Sequence, residues 1–540
     1  MASTQMEPSK SPAMENSKLT RRQLIKGASA LGLSAAILGP LLAACTRVED
    51  TMIVTPLSTP PSLPTATLFS TPISPPSFAS SPSPTPTIAP ISKPNAASPL
   101  QSLPTTIPTP SPTATPPPTV TFNLTERQKI AHLLRRAGFG FTAAELNRAE
   151  GMGLAATIDE LINFESVDNS DLDKHIAAAG LDFELPPEMR RWWYLRMAYT
   201  KRPLQEKMTL FWHGILTSGH KKVADIPKMS AQNELFKQKG MGSYQTLLEE
   251  IGRDPAMLIW LDSRSNNKKA PNENYARELM ELFTLGPGNY TEEDVRESAR
   301  AFTGWGLKRK EGNPKGVFYF RDFQHDYGSK TFLGETGDFD GDDVVRIILK
   351  QPQAARYITT RLWEFYAYED PESEVIDKLS AVFVSSGYAI RDVMRALLTS
   401  PEFYSDRAYR TQIKSPITLV VQTAKALNLT VSTKRMSNLA LRMGQILFDP
   451  PDVSGWPGGA AWVNSSSILQ RVNMANFIAK SLTETLTRQE LVDLLLDGVL
   501  DPAMEAALDY FESETRGSSR VGVSRGLTYL MLGGPGYQRG

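Results

Sequence analysis

Apolar residues recur at helical spacing through most of the chain after residue 123. In the first such segment they fall at the i, i+3, i+4 and i+7 positions of one helix face. These positions are Ile130, Leu133, Leu134 and Ala137. Thr125 and Gln128 have the spacing of a capping box, and Gly138 is a helix stop. The pattern therefore predicts a helix that begins just after Thr125 and ends before Gly138.

Similar amphipathic patterns follow along the rest of the chain, and each predicts one helix. The predicted helices are 187–200, 204–216, 243–252, 272–285, 291–303, 352–368, 391–398, 464–480 and 487–495. A further helix is expected from Val344, with Asp342 as its N-cap. No repeat of fixed period accompanies these segments, so a solenoid is not indicated.

Alternating apolar and polar residues, the pattern of a strand, are rare in this chain. They are clearest at 316–323, and we expect this segment to form a hairpin with 330–333. The predicted fold class is mainly α: a large multi-helix domain at 124–540, as one unit or two lobes, with a small β-hairpin insertion near 312–335.

The first 45 residues have the organisation of an export signal. Arg21 and Arg22 stand in a twin-arginine motif, and the apolar run 28–44 is too short and too interrupted for a typical transmembrane helix. The run ends in Leu-Ala-Ala-Cys45, which is similar to a lipobox, so Cys45 is the expected site of lipid attachment. The alternative is an uncleaved anchor helix. We predict a protein that is exported folded and lipid-anchored at the extracytoplasmic face of the cell membrane.

Residues 46–123 have the composition of a tether. Pro, Ser and Thr dominate the segment from 51 to 120, and Lys93 is its only charged residue. A chain of this kind buries too little apolar surface to offset the entropy of ordering. The sequence therefore predicts a disordered, extended spacer between the lipid and the helical domain.

Charge and cysteine content exclude several functions. The 540 residues include 58 basic and 58 acidic side chains, so the net charge of zero gives no electrostatic case for nucleic acid as a partner. Cys45 is the only cysteine. An internal disulfide, a c-type haem, a Cys-ligated zinc site and an iron–sulfur cluster are thus excluded. No His-Glu-x-x-His helix occurs, so we assign no metal site, and the cofactor is unknown.

Several segments form a set of motifs, of which the most specific is Asn-Glu-Asn-Tyr-Ala-Arg-Glu-Leu-Met-Glu-Leu-Phe-Thr-Leu-Gly at 272–286. The others are 133–140, 208–213, 290–295, 302–305, 325–326, 455–457 and Arg471. Together they resemble a bacterial family, the domain of unknown function 1800, across 124–540. The resemblance implies a mainly helical, often exported protein, encoded beside a second exported family that looks like sulfatases. It implies no established reaction. Many relatives read Trp-His-x-His where this chain has Trp212-His213-Gly214-Ile215, which departs from that pattern.

The predicted helix at 272–285 places four polar residues on one face. These residues are Asn274, Arg277, Glu278 and Glu281. One interpretation is an ordinary amphipathic helix with Glu273–Arg277 and Arg277–Glu281 pairs in solvent. The other places Glu278 or Glu281 in a cleft, with Arg277 orienting the carboxylate and lowering its pKa.

Other candidate residues are histidines, aromatics and one arginine in the motifs. His213 follows two aromatics, and a lone histidine in that setting is either a core residue or a catalyst. The pair His325–Asp326 lies in the predicted hairpin loop, where functional groups often gather. Three more residues are candidates for ligand binding: Trp305, Trp456 and Arg471. Trp305 belongs to the motif at 302–305, and Arg471 lies on the helix that follows the Trp456 loop. An exposed Trp456 could stack on a sugar ring, whereas a buried one would only pack two lobes together.

Two functions are compatible with these residues. The first is a hydrolase-like enzyme acting on a cell-envelope or extracellular polymer, with His213, Glu278 and His325 as acid–base groups. The alternative is a non-catalytic surface lipoprotein that binds glycans or scaffolds a sulfatase-like partner. The enzyme requires the three residues to converge on one pocket, whereas the alternative predicts that they are scattered or ion-paired and that aromatics are exposed.

Overall fold

Side-chain caps start the helices where the sequence places them. The Thr125 side chain accepts from the Gln128 backbone, and the Gln128 side chain accepts from the Thr125 backbone, so the predicted capping box is present. The computed structural model describes residues 123–310, 313–429 and 432–540. The predicted export arginines Arg21 and Arg22, the lipid site Cys45 and the tether up to residue 122 lie outside these residues.

The described residues are mainly α-helical, as predicted, and they fall within one compact unit. The first twelve helices are α1 Glu126–Arg136, α2 Ala143–Met152, α3 Leu154–Ile162, α4 Ser170–Ala178, α5 Pro186–Tyr199, α6 Pro203–Ile215, α7 His220–Val223, α8 Ile226–Lys239, α9 Tyr244–Gly252, α10 Pro255–Trp260, α11 Asn274–Glu278 and α12 Glu292–Ala301. The others are α13 Gly341–Leu349, α14 Pro352–Tyr366, α15 Ser373–Ser385, α16 Ile390–Thr399, α17 Pro416–Ala426, α18 Thr433–Arg442, α19 Ser465–Ser481, α20 Arg488–Leu496, α21 Pro502–Glu514, α22 Arg520–Gly533 and α23 Pro535–Gln538. Each predicted helix is present within about two residues of its expected bounds, except the one expected from Val344, which begins earlier.

Two small antiparallel sheets form the β part. Strands β1 (Trp305–Lys310) and β2 (Asn313–Phe320) pair with each other, as do β3 (Lys330–Phe332) and β4 (Glu335–Gly337). The hairpin insertion is therefore confirmed, but the predicted pairing of 316–323 with 330–333 is wrong. Each strand pairs instead with its nearest neighbour along the chain, which closes a much shorter loop.

The cap of α13 also differs from the prediction. The side chain of Asp340, not that of Asp342, accepts hydrogen bonds from the backbone N–H groups of residues 342 and 343. In return, the Asp343 side chain accepts from the backbone N–H of Asp340. The helix consequently begins at Gly341, three residues earlier than expected. Asp342 instead pairs with Arg253.

The apolar core consists of two large clusters rather than two separate lobes. One draws mainly on α3, α6, α9 and α12 to α16, and the other on α5, α10 and α17 to α23. Trp260, Leu307 and Phe365 pack against both, so they join the clusters into one interior. No described helix is long and apolar enough to cross a membrane.

Candidate functional site

The most specific motif of the chain forms a helix with an unusual second half. After α11, residues Leu279–Thr284 continue as a π-helix. Its wider turn lets some backbone carbonyl oxygens accept hydrogen bonds from side chains outside the helix. Tyr357 Oη donates to the Leu282 carbonyl at 2.8 Å, and Tyr244 donates to that of Phe283. The π-helix is thus held by hydroxyls from two neighbouring helices. Such segments are frequent at functional sites, which makes this motif a candidate.

The predicted polar face of this motif is mostly occupied by surface pairs. Arg277 contacts Glu292 with two nitrogens at 2.7 and 2.8 Å and reaches Glu273 at 3.3 Å. The expected Glu273–Arg277 pair is therefore confirmed, whereas the expected Arg277–Glu281 pair is wrong, because Arg277 reaches Glu292 instead. Glu281 accepts from Tyr290 Oη at 2.8 Å, whereas Asn274 is exposed.

Glu278 differs from its neighbours on this face. Its side chain is half-buried and makes no hydrogen bond or ion pair with another described residue. Burial raises the pKa of its carboxyl, and repulsion by Glu281 adds to that effect, against the smaller opposing influence of Arg277. Glu278 is consequently the residue of this motif best suited to hold or deliver a proton.

His213 lies on α6 inside a wall of aromatic rings. The ring centroids of Trp193 and Trp456 are both 5.3 Å away, that of Phe448 is 5.7 Å away and that of Phe236 is 6.5 Å away. Burial lowers the pKa of His213 to about 3, so its imidazole is neutral near pH 7. Its buried Nε2 has no partner among the described residues. The unpartnered nitrogen is a hydrogen-bonding group, but the imidazole carries no positive charge near neutral pH.

The loop carrying Trp456 packs against His213. Gly455 has φ +86°, and a Cβ at this position would lie 2.2 Å from the carbonyl oxygen of Gly214, so only glycine allows the contact. Trp456 is half-buried, and its indole Nε1 is buried without a partner in the described part of the chain. Two predicted candidates, His213 and Trp456, are therefore in direct ring contact.

His325 and Asp326 tie the hairpin to α12. His325 Nδ1 donates to the Thr303 carbonyl oxygen at 2.8 Å, and the backbone N–H of Asp326 donates to Thr303 Oγ1 at 2.8 Å. The Asp326 carboxylate accepts from Arg300 Nε at 2.8 Å, and that hydrogen bond lowers its pKa. Both side chains thus have contacts that orient the loop.

Four exposed aromatic side chains lie on this loop and on strand β2, and we call them the hairpin patch. They are Tyr319, Phe320, Phe323 and Tyr327, exposed by 45, 37, 70 and 55%. The buried His325 ring lies beneath two of them, with centroids 5.4 Å from Phe320 and 4.6 Å from Tyr327. The patch is therefore a supported surface rather than a loose loop.

Trp305 and Arg471 lie in the interior. Trp305 is 5% exposed, and its ring packs against Phe302 at 4.8 Å and Phe318 at 5.7 Å. Arg471 donates to Gln538 and to the Lys414 carbonyl, both at 2.8 Å. Their contacts hold core and loop elements together and leave no open face for a ligand.

The three residues predicted as acid–base groups have separate surroundings. No hydrogen bond, ion pair or ring contact within 123–310, 313–429 and 432–540 joins His213, Glu278 and His325. Their shared catalytic site stays a prediction.

A group of buried basic residues near Arg471 was not predicted from the sequence. Its members are Arg135, Arg136, Lys207, Arg410 and Lys414, all buried or nearly so. The side chain of Asp497 is 2% exposed and pairs with Arg135 and Arg410. Burial lowers the pKa of Lys207 to about 7, and that of Lys414 well below its usual range. Arg135 and Arg136 lie in the motif at 133–140, and two adjacent arginines in that motif were the one sequence feature that could have indicated this group.

Comparison with known proteins gives one match. The family model described as protein of unknown function, DUF1800, matches residues 132–539. No curated protein and no solved structure matches the chain. Within the described residues, no three His, Cys, Asp or Glu side chains are grouped so that they could hold a metal ion.

Proposed function

The chain belongs to the DUF1800 family, whose function is unknown, and we propose that it is an exported, lipid-anchored binding protein for an acidic glycan. In this proposal the twin-arginine signal at Arg21 and Arg22 directs export, and Cys45 carries the lipid. The helical domain presents the hairpin patch to extracytoplasmic polymer without cleaving it.

The hairpin patch is the observation that carries the proposal. Phe323 and Tyr327 expose more than half of their surface, although aromatic side chains normally bury most of theirs. Clustered exposed aromatics on a folded surface mark binding sites, because covering them removes apolar area from water. Flat rings with a polar edge suit the apolar face and hydroxyl rim of a sugar.

Cations around the patch favour an acidic sugar polymer. Lys308 Nζ lies 5.3 Å from the centroid of the Tyr319 ring. The backbone of Lys268 donates to the Gln324 carbonyl at 2.9 Å, and Arg321 donates to the Arg264 carbonyl at 2.6 Å. The side chains of Lys308, Lys268 and Arg264 are all exposed, and Lys308 lies beside a ring of the patch, where its positive charge attracts anionic groups.

The contacts of three candidate residues also favour binding over hydrolysis. Asp326 is engaged by Arg300 and Arg277 by Glu292, and His213, the one acid–base candidate of the three, is neutral. These are the ion-paired and separate surroundings expected of the non-catalytic alternative.

The test compares two exposed phenylalanines. The purified full chain is titrated with heparin as an acidic glycan and with dextran as a neutral one, at fixed salt. Phe323→Ala is expected to weaken heparin binding about thirtyfold, the effect of losing one aromatic anchor worth about 2 kcal/mol. The matched control is Phe183→Ala, because Phe183 is 44% exposed but lies outside the hairpin patch.

Equal affinities of the two variants would overturn the proposal. Loss of a captured sulfatase-like protein in Phe323→Ala, with heparin binding unchanged, would identify the patch as a scaffold surface instead. Phe323→Ala should not change the stability of the protein, because Phe323 is 70% exposed and contributes little to the core. Either outcome therefore reports on binding and not on folding.

Glu278 favours the hydrolase-like enzyme as a second candidate. A half-buried carboxyl with a raised pKa beside a π-helix is the arrangement expected of a general acid. Glu278→Gln should then abolish release of reducing ends from an envelope polysaccharide while the unfolding temperature stays unchanged. Activity equal to wild type would remove Glu278 from the mechanism, and loss of folding would make it a structural residue.

A further inference from the structure

The sheet of β1 and β2 has one apolar face and one polar face. The apolar face packs on the core through Trp305 and Phe318, whose ring centroids are 5.7 Å apart. Because side chains alternate along a strand, Gly306, Lys308 and Tyr319 lie on the opposite face, where Gly306 pairs directly with Tyr319. Lys308 and Tyr319 are both exposed. We call this side the outer face of the sheet.

The guanidinium of Arg321 covers Gly306 on the outer face. A Cβ at Gly306 would lie 2.5, 2.6 and 2.7 Å from Nη2, Cζ and Nε of Arg321, so the glycine makes the space in which the guanidinium lies. Nη2 donates to the carbonyl oxygen of Arg264 at 2.6 Å and to that of Trp305 at 2.7 Å. Two backbone oxygens, which carry no net charge, therefore hold this cation in place.

Positive charge on the outer face has no counter-charge in the part of the chain that the structure describes. Arg321 contacts carbonyl oxygens, Lys308 Nζ lies 5.3 Å from the centroid of the Tyr319 ring, and no carboxylate described here pairs with either cation. The buried Nε of Arg321 also has no hydrogen-bond partner among these residues. Arginine stays charged in proteins, and a half-buried cation without a counter-charge is costly. The outer face therefore favours an added anionic group.

We propose that the outer face binds one acidic sugar residue, with its sulfate or carboxylate group on Arg321 and Lys308 and its ring against Tyr319. This inference rests on the proposed glycan function and names the subsite that reads the acidic group. Neighbours on one face of a strand are about 7 Å apart and cross-strand partners about 5 Å apart, so the three groups lie close enough to contact one sugar residue. A guanidinium suits an oxyanion, and a flat phenol ring suits the apolar face of a sugar.

The experiment titrates the purified full chain with heparin at several salt concentrations. Gly306→Ala keeps every charge of the protein, but its methyl group displaces the Arg321 guanidinium, which is the end of a flexible side chain and can move without unfolding the sheet. We expect heparin affinity to fall about tenfold, as for the loss of one hydrogen-bonded charge contact. The slope of log affinity against log salt should decrease by about one. The unfolding temperature checks that the variant is folded.

Two further variants separate the subsite from general attraction between charges. Arg321→Lys keeps the positive charge but loses the planar group, so it should weaken heparin binding as Gly306→Ala does. Lys268→Gln removes an exposed charge from a loop whose backbone contacts Gln324, and its effect should be smaller than that of either variant.

Three results would contradict the proposal. If Gly306→Ala and Arg321→Lys bind heparin as the wild type does, the outer face is not the subsite, although the glycan function stands. If Lys268→Gln loses as much affinity as they do, the attraction is general and no subsite exists. A wild type that binds no heparin would overturn the glycan function and this subsite with it. If Gly306→Ala fails to fold, the comparison of Arg321→Lys with Lys268→Gln decides.

Discussion

Replacing Asp497 by Asn tests how much the interior depends on one carboxylate. The Asp497 side chain accepts from Tyr409 Oη at 2.9 Å, from Arg410 Nη1 at 3.3 Å and from Arg135 Nη1. Its backbone has φ +56°, a left-handed conformation that Asn also tolerates. Asp497→Asn thus keeps the shape of the site and removes its negative charge.

The expected loss is large because the two arginines stay behind. Removing one partner of a buried ion pair costs about 3–5 kcal/mol, since the remaining charge is uncompensated. For a domain of this length, that loss lowers the unfolding temperature by about 3–6 °C. Urea unfolding and a thermal scan of the full chain measure the two quantities separately.

Asp262→Asn is the matched control. Asp262 also has a left-handed backbone, with φ +58°, and it also forms an ion pair, with Lys222 at 2.7 Å. Its side chain is 47% exposed, so loss of this pair should cost less than about 1 kcal/mol. If Asp497→Asn costs no more than Asp262→Asn, the reasoning that buried cations here depend on Asp497 is refuted.

The comparison of wild type with Asp497→Asn also gives a test of pH dependence. Burial alone would raise the pKa of Asp497, but Arg135 and Arg410 overcome that effect and hold it below its ordinary value. The stability that the carboxylate contributes is therefore complete above the unfolded pKa of about 3.9 and is lost as the pH falls through the folded pKa. Wild type and Asp497→Asn should therefore differ fully at pH 6, and the difference should shrink only as the pH falls below about 4 and through the folded pKa. A constant difference would contradict the shift.

Two further predictions concern location and His213. Replacing Arg21 and Arg22 by Lys should leave precursor in the cytoplasm, and Cys45→Ala should prevent incorporation of a labelled fatty acid; unlabelled wild type would contradict the lipid anchor. Because burial lowers the pKa of His213 to about 3, stability present above pH about 6.5 should fall by about 2 kcal/mol on going to pH 5. His213→Phe should remove that loss, whereas His175→Phe should not, because the His175 side chain is exposed. Urea unfolding above pH 6.5 and at pH 5 measures the difference.

Local signals in the sequence determined the helices of this protein. A capping box such as Thr125 with Gln128 acts within one turn, and its bonds are the same whatever the rest of the chain does. The Glu273–Arg277 pair could be predicted for the same reason, since its partners are one turn apart. The family was also readable from the sequence, because its motifs are short and continuous.

Tertiary contacts decided the strand pairing, the π-helix and the surroundings of the candidate residues. From alternation alone, the strand containing Gly316 could pair with the segment before it or with the segment after it. It pairs with the segment before it, β1, because the connecting loop is shorter. The ring contact between His213 and Trp456 and the pairing of Arg135 with Asp497 join residues far apart in the chain. A residue's periodicity indicates which face of a helix it occupies. The charge or ring that meets that face depends on the packing of the whole domain, and this packing determines whether a histidine is neutral and which carboxylate pairs with a buried cation.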